Sequence, residues 1–447
     1  MISFFTRRLK SFFSDARFSG ILRGSLWALS ARVASGVLTF IVSVLVARNY
    51  GADGVGILAM VQSYLSLAAI FTVLGTSTSI LRLIPEHVAA SSVTSAFRVY
   101  RKTLRLVTAV SLVTGTLLLL LSGVVATRVF SKPHLTFYFA LAAGFVVFKS
   151  LIDLNTQAIR GLRLIRAFAF MQILPAVAML VFLATGTQFF RVRGGPVYAQ
   201  LAAWVCTAAL GAWIVDRAFR QRMRAGDRVN EVPVREILSI SLPMLMTVSM
   251  HFVIGQTGVI MLAAFRSEAE VGYYDTSVKL ATMTTYLLAA VNSMAGPRFS
   301  ELFHSGRTDE LFYVARKSTK LIFWATVPIL LGLVLLGKPI LRHFFGQDFI
   351  VAYPALVLLV LGQFVNSTSG STGMFMSMTG KQVTFRNIML VAAALNLSLS
   401  AATVPRFGVA GAAFSAMVSV MFWNVATLVS MKATHGRTTG YLPGFST

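Results

Sequence analysis

Leu26–Gly56 reads LWALSARVASGVLTFIVSVLVARNYGADGVG. The run from Leu26 to Ala47 holds about 22 residues and one charge, Arg32. As a helix it rises roughly 33 Å, enough to cross a hydrocarbon core of about 30 Å. The polar, glycine-rich Arg48-Asn49-Tyr50-Gly51-Ala52-Asp53-Gly54 that follows reads as a tight turn. A second apolar run begins at once with Val55-Gly56. The same pattern returns 216 residues later, where Ile260–Ala264 leads into Val271-Gly272-Tyr273-Tyr274, and Val55-Gly56 aligns with Val271-Gly272. The chain therefore reads as two copies of one membrane unit.

Composition supports that reading. Hydrophobic residues make up 56% of the chain and charged residues 12%, half the roughly 25% of an ordinary globular domain. A chain this apolar cannot cover itself with polar surface, so lipid is its expected solvent. The net charge of +25 does not point to nucleic acid, because the basic residues sit in short connections between apolar runs and form no soluble basic face. The single cysteine, Cys206, excludes an intrachain disulfide. Residues 1–24 lack the apolar stretch and small-residue site of a cleavable signal. They carry Phe5, Leu9, Phe12, Phe13 and Ala16 at helical spacing among Arg7, Arg8, Lys10 and Arg17, which fits an amphipathic helix on an anionic leaflet.

Twelve spans are expected, beginning near Leu26, Val55, Leu104, Thr136, Ala167, Pro196, Leu238, Val271, Leu321, Ala352, Thr384 and Gly408. With the N-terminus inside, cytoplasmic segments hold 28 Lys and Arg against 9 on the other side, a split that places both termini in the cytoplasm. The longest polar segment, Arg217–Arg235, separates two groups of six spans. Six is even, so the two halves enter the membrane the same way and repeat about an axis along its normal. The expected organisation is an amphipathic segment at 1–24, a first lobe at 25–218, a linker at 219–237, a second lobe at 238–432 and a cytoplasmic tail at 433–447. The fold class is an all-α polytopic membrane protein, with two six-helix lobes.

Three stretches resemble the polysaccharide transporter, or oligosaccharide flippase, family of the superfamily that also holds multidrug extruders and lipid II flippases. They are Ala47-Arg48-Asn49-Tyr50-Gly51 with Gly54-Val55-Gly56, then Glu270-Val271-Gly272-Tyr273-Tyr274 with Lys279 and Gly296-Pro297-Arg298, and finally Phe407-Gly408-Val409-Ala410-Gly411-Ala412-Ala413. The resemblance implies two six-helix lobes around a central cavity that opens alternately to each side. It implies an undecaprenyl-diphosphate-linked oligosaccharide as cargo, moved from the cytoplasmic to the periplasmic leaflet of a bacterial inner membrane for surface polysaccharide biosynthesis. Polymerase or assembly proteins would be neighbours in that pathway. The alternative is a cation-coupled multidrug extruder of the same fold.

A charge at bilayer depth costs at least about 2.5 kcal/mol, so it normally faces a cavity or a partner. That makes Arg32, Lys149 and Lys279 candidate cavity cations for a diphosphate, with Arg48 beside the first turn. Arg32 shares a helical stripe with Ser35, Gly36, Thr39 and Ser43. Lys149 and Asp153, like Lys279 and Asp275, lie four apart and are neighbours on their helices. Asp153, Asp275 and His251 are the candidates for ion coupling, His251 because an imidazole titrates near neutral pH. Gln62, Gln363 and Asn366 are expected as polar cavity lining. Interface anchoring is the simpler role for Arg48, mutual neutralisation for Lys149 and Asp153, and snorkelling for Arg32. No catalytic constellation, metal-ligand spacing or glycine-rich phosphate loop is found, so neither enzyme nor cofactor is expected.

Overall fold

The computed structural model describes residues 16–73, 75–90, 92–189, 194–223 and 233–443. Helix α1 (Ala16–Val73) folds back on itself at Gly51, whose φ of 68° is a conformation that a Cβ disfavours. It supplies the first pass and most of the second, which α2 (Thr76–Ala90) continues beyond a second positive-φ glycine, Gly75. Helices α3 (Val93–Val124), α4 (Thr136–Gly161), α5 (Ile165–Phe189) and α6 (Gly195–Arg220) complete one lobe. The second lobe opens with α7 (Val234–Phe265), followed by an eighth pass made of α8 (Glu268–Thr282) and α9 (Thr285–His304). The ninth pass is α10 (Thr308–Ile340), ending in a π-turn at Leu341–Phe345. The tenth is α11 (Tyr353–Ser369) with the short α12 (Thr372–Met378), and α13 (Gln382–His435) makes the last two passes around Gly408.

Among the described residues, eight helical stretches are long and apolar enough to cross a membrane. Two of them turn back, at Gly51 and Gly408. The seventh pass, α7, and the broken eighth, α8 with α9, bring the total to twelve. Both ends of the described chain therefore lie on one face, here called the basic face. The outer wall is a belt of exposed apolar side chains, among them Val113, Leu117, Leu120, Phe137 and Leu335, as a lipid-facing surface requires.

The eighth pass breaks where the sequence reading drew a continuous span. Thr282, Thr284 and Thr285 return their hydroxyls to the carbonyls of Val278, Ala281 and Thr282 at 2.7, 3.1 and 2.6 Å. Such side-chain bonds bend helices and occupy the backbone groups a break would strand.

The two copies of the repeat meet at their matched glycines. A Cβ on Gly56 would stand 1.8 Å from the carbonyl oxygen of Glu268, and one on Gly272 2.2 Å from that of Ala52. The second and eighth passes thus touch backbone to backbone, the close approach that small residues permit between membrane helices. Around this seam, on the face opposite the termini, one apolar core runs through both lobes, from Val46, Val55 and Phe139 to Val271, Phe345 and Val404. Toward the basic face it divides. One cluster holds first-lobe residues such as Ile84, Tyr100 and Phe219, joined by Ile237 of α7, and a separate one holds second-lobe residues such as Phe299, Phe312 and Phe375. There, among the described residues, the Ser79 and Ser241 hydroxyls stand 2.6 Å apart, Gly75 closely approaches the Ser241 backbone, and Gly36 lies against the Tyr286 ring.

Of the sequence expectations, residues 1–15 of the amphipathic segment and 224–232 of the linker lie outside the described residues. So does the His251 side chain, although its backbone belongs to α7.

Candidate functional site

Above the level of Gly36 the first, second, fifth and sixth passes leave a chamber of about 200 Å³, into which Lys279 reaches from the eighth pass. Ser35, Thr39 and Ser43 line it from the first pass, Gln62 from the second, Gln172 from the fifth and Gln200 from the sixth. Hydroxyls in membrane helices usually bond their own helix. Here Thr39 donates to the Ser35 carbonyl at 2.8 Å and Ser43 to that of Thr39 at 3.0 Å. The amide of Gln62 donates to the side-chain carbonyl of Gln200 at 2.9 Å, tying two walls together. Just outside, Ser63 donates to Gln256 of α7 at 2.6 Å, across the lobes.

Lys279 is the charged member of the lining. Its ammonium stands 2.6 Å from the Asp275 carboxylate one turn earlier, and Asp275 is 15% exposed. Asp275 is thus largely covered, though it lies toward the end of its span. The break of the eighth pass follows within a turn, so Lys279 sits at the end of a rigid half-helix beside a joint.

Arg32 lies one turn before Ser35. At 100° per residue it falls on the stripe of Thr39 and Ser43, and opposite the exposed ridge of Val33, Val37 and Ile41. The residue is exposed and is not among the side chains that line the chamber.

Lys149 donates to Asp153 at 2.6 Å. The pair occupies the inner side of α4, away from exposed Phe137 and Gly144, and does not line the chamber. Gln363 and Asn366 line a separate and much smaller cavity in the second lobe with Thr284, Thr285 and Thr326, beside the broken pass. Gln62 is therefore in the chamber and the other two predicted amides are not.

Arg48 departs from the cavity role. Its Nε donates to the Phe344 carbonyl at 2.8 Å and its Nη2 to that of His343. These carbonyls end the π-turn of the ninth pass and have no partner within the helix, so a cation from the other lobe caps them. Lys132 does the same for α7, donating to the carbonyls of Ala263 and Arg266 at 2.9 and 2.6 Å. Burial pulls the Lys132 ammonium below its usual range, against the opposing pull of Glu268 and Glu270. His134 pairs with Glu268 at 2.7 Å. Arg266 caps the carbonyl of Pro405 at 2.8 Å within its own lobe. First-lobe cations thus latch the second lobe at the opposite face.

Sequence reading missed Gln172, Gln200 and Gln256, each an amide in a mainly apolar run, which was signal enough to weigh it as cavity lining. Tyr286 reads from the sequence as part of the Lys279 face, but its contact with Gly36 depends on tertiary packing.

A family model for polysaccharide biosynthesis proteins matches residues 21–303. Among curated proteins the chain is similar to a probable low-salt glycan biosynthesis flippase of Haloferax volcanii. The two are 20% identical over 406 residues, covering 89% of this chain and 81% of that protein. Among solved structures it is similar to the lipid II flippase MurJ in an inward closed conformation, with a TM-score of 0.66 at 13% identity over 92% of this chain and 87% of that one. A MATE family multidrug resistance transporter in its inward-facing conformation gives 0.70 at 14% identity, over 92% and 98% of the two chains. An outward-facing conformation of such a transporter gives 0.59 over 93% and 95% at the same identity.

Proposed function

The chain belongs to the polysaccharide biosynthesis protein family, and from that premise we propose that it flips an undecaprenyl-diphosphate-linked oligosaccharide from the cytoplasmic to the periplasmic leaflet of a bacterial inner membrane. The basic face is then cytoplasmic and the latched face periplasmic. The observation that carries this reading is Lys279, a second-lobe ammonium reaching into a first-lobe chamber that Gln62, Gln172 and Gln200 help line, with Arg32 on the helical stripe of Thr39 and Ser43. A diphosphate entering from the basic side meets Arg32 first, whose planar fork suits paired phosphate oxygens. Lys279 can then trade its bond to Asp275 for one to the phosphate. The polyprenyl tail stays in lipid throughout.

The chamber is smaller than the roughly 300–1,000 Å³ of pockets that hold drug-sized molecules. It accommodates the diphosphate, and the sugars need the lobes to part. The divided core supports parting at the basic face, as does the higher similarity to an inward-facing than to an outward-facing relative. A cation-coupled extruder is less well supported. Such a pump needs a carboxylate free to bind an ion, and Asp153 and Asp275 each sit 2.6 Å from a lysine on their own helix.

Hydrogen bonds to charged groups are worth about 1.5–3 kcal/mol, so Lys279→Gln and Arg32→Gln should each lower surface glycan about 10- to 100-fold. Lys279→Arg should retain most of it, and protein levels in the membrane should hold in all three. Normal glycan in both glutamine variants would overturn the proposal.

A further inference from the structure

Away from the central chamber, at the basic face of the second lobe, the chain's end builds a larger groove of about 730 Å³. Gly436, at φ 67°, turns the chain out of α13. The residues after it fold back over the lobe, held by the Tyr441 amide donating to the Thr368 carbonyl at 2.9 Å and by Arg316 Nε donating to the Thr438 carbonyl at 2.9 Å. The groove lies between this strap, the last turn of α13 and the start of α10.

Its charge is one-sided. Arg316, Lys317, Lys320, Lys432 and Arg437 line it, and Asp309, the one carboxylate in the lining, is paired with Arg437. Lys317 stands 5.4 Å over the Tyr313 ring and Lys320 5.5 Å over that of Tyr441. These aromatic faces hold the ammoniums in place and leave their N–H donors for another partner.

The groove also has a direction. At 100° per residue, Tyr313, Lys317, Lys320, Leu321, Trp324, Leu331 and Leu335 fall on one face of α10. The apolar members of that face are strongly exposed, Leu335 to 76%, so it is part of the lipid-facing wall. A lipid lying along Leu331, Trp324 and Leu321 would bring its head group to Lys317 and Lys320.

We propose that this groove binds the phosphate head group of an anionic membrane phospholipid, with the acyl chains laid along the exposed ridge of α10. The ammoniums and the free guanidinium nitrogens of Arg316 supply donors to the phosphate oxygens, and the tail strap closes the third side. The site is on the outer wall, so it is separate from the cargo path and its test does not depend on transport.

The test is native mass spectrometry of the purified full chain, titrated with phosphatidylglycerol and with phosphatidylcholine. The wild type should retain phosphatidylglycerol preferentially. K317Q/K320Q/K432Q should weaken that retention about tenfold or more, given the roughly 1 kcal/mol that each basic residue contributes near an anionic surface. K317R/K320R/K432R should keep it, and thermal melting of both triple variants should match the wild type, separating lost binding from lost fold. Equal retention of both lipids by the wild type, or unchanged retention in the glutamine triple variant, would overturn the proposal. Displacement of phosphatidylglycerol by low-millimolar inorganic phosphate would also overturn it, by assigning the groove to a free anion.

Discussion

The two halves of this molecule, cut parallel to the membrane, are held together by different physics. At the latched face one apolar core passes through both lobes, two glycine-bearing helices meet backbone to backbone, and Arg48 and Lys132 cap helix ends across the divide. At the basic face the core divides, with Ile237 of α7 joining the first-lobe cluster, and among the described residues the lobes touch through a pair of serines, the close approach of Gly75 to the Ser241 backbone and a glycine–tyrosine contact. Lipid tails are as apolar as leucine, so apolar area does little to hold membrane helices together, and close backbone packing and polar bonds carry the association. Among the described residues the latched half has more of both than the basic half. Among the described residues, parting the lobes at the basic face therefore breaks fewer contacts than parting them at the latched face would.

The sharpest way to break that comparison is to pry the glycine seam. Gly56→Leu or Gly272→Leu would push a side chain into backbone that cannot give way, and should cost at least about 3 kcal/mol. A steep loss of melting temperature in detergent checks this, with Gly144→Ala as the control, since a Cβ at Gly144 meets nothing within 4 Å. A G56L protein that melts like wild type would mean that the second and eighth passes do not meet as described.

The second way is to remove the freedom of the basic half. In a C206A background, Ser79→Cys with Ser241→Cys should form a disulfide, since the native hydroxyls are 2.6 Å apart. Transport should stop when it forms and return on reduction. Transport that continues in fully cross-linked protein would show that this half need not part.

A milder perturbation tests the latch. Arg48→Ala and Lys132→Ala each leave helix-end carbonyls without their cap, worth about 1.5–3 kcal/mol for bonds from a charged donor. The seam should open more often, seen as faster labelling of a cysteine at buried Ala52 by a membrane-impermeant thiol reagent applied to the latched face. An unchanged rate in the double variant would remove the cations from the latch.

Much of the candidate site was legible beforehand. The stripe Ser35, Thr39 and Ser43 lines the chamber because helical spacing alone puts those residues on one face. Lys279 reaches the chamber because an ammonium at bilayer depth has few other places to go. Arg48 was read with the wrong partner, because nothing in its own stretch reveals that a π-turn 296 residues later would offer it bare carbonyls. Gln363 and Asn366 looked like Gln62, yet they open on another cavity, since which interior a polar face meets depends on how the broken eighth pass divides the space.

Hydropathy, charge placement and the recurrence of Val-Gly after a turn determined that this chain is a twelve-pass bundle of two matched units, because backbone in lipid must satisfy its own hydrogen bonds and so leaves helices few alternatives. Tertiary structure decided where the units touch, which cations become caps and which face a chamber, and which half is sealed. Those outcomes rest on contacts between residues hundreds of positions apart, and helical periodicity carries no information about them.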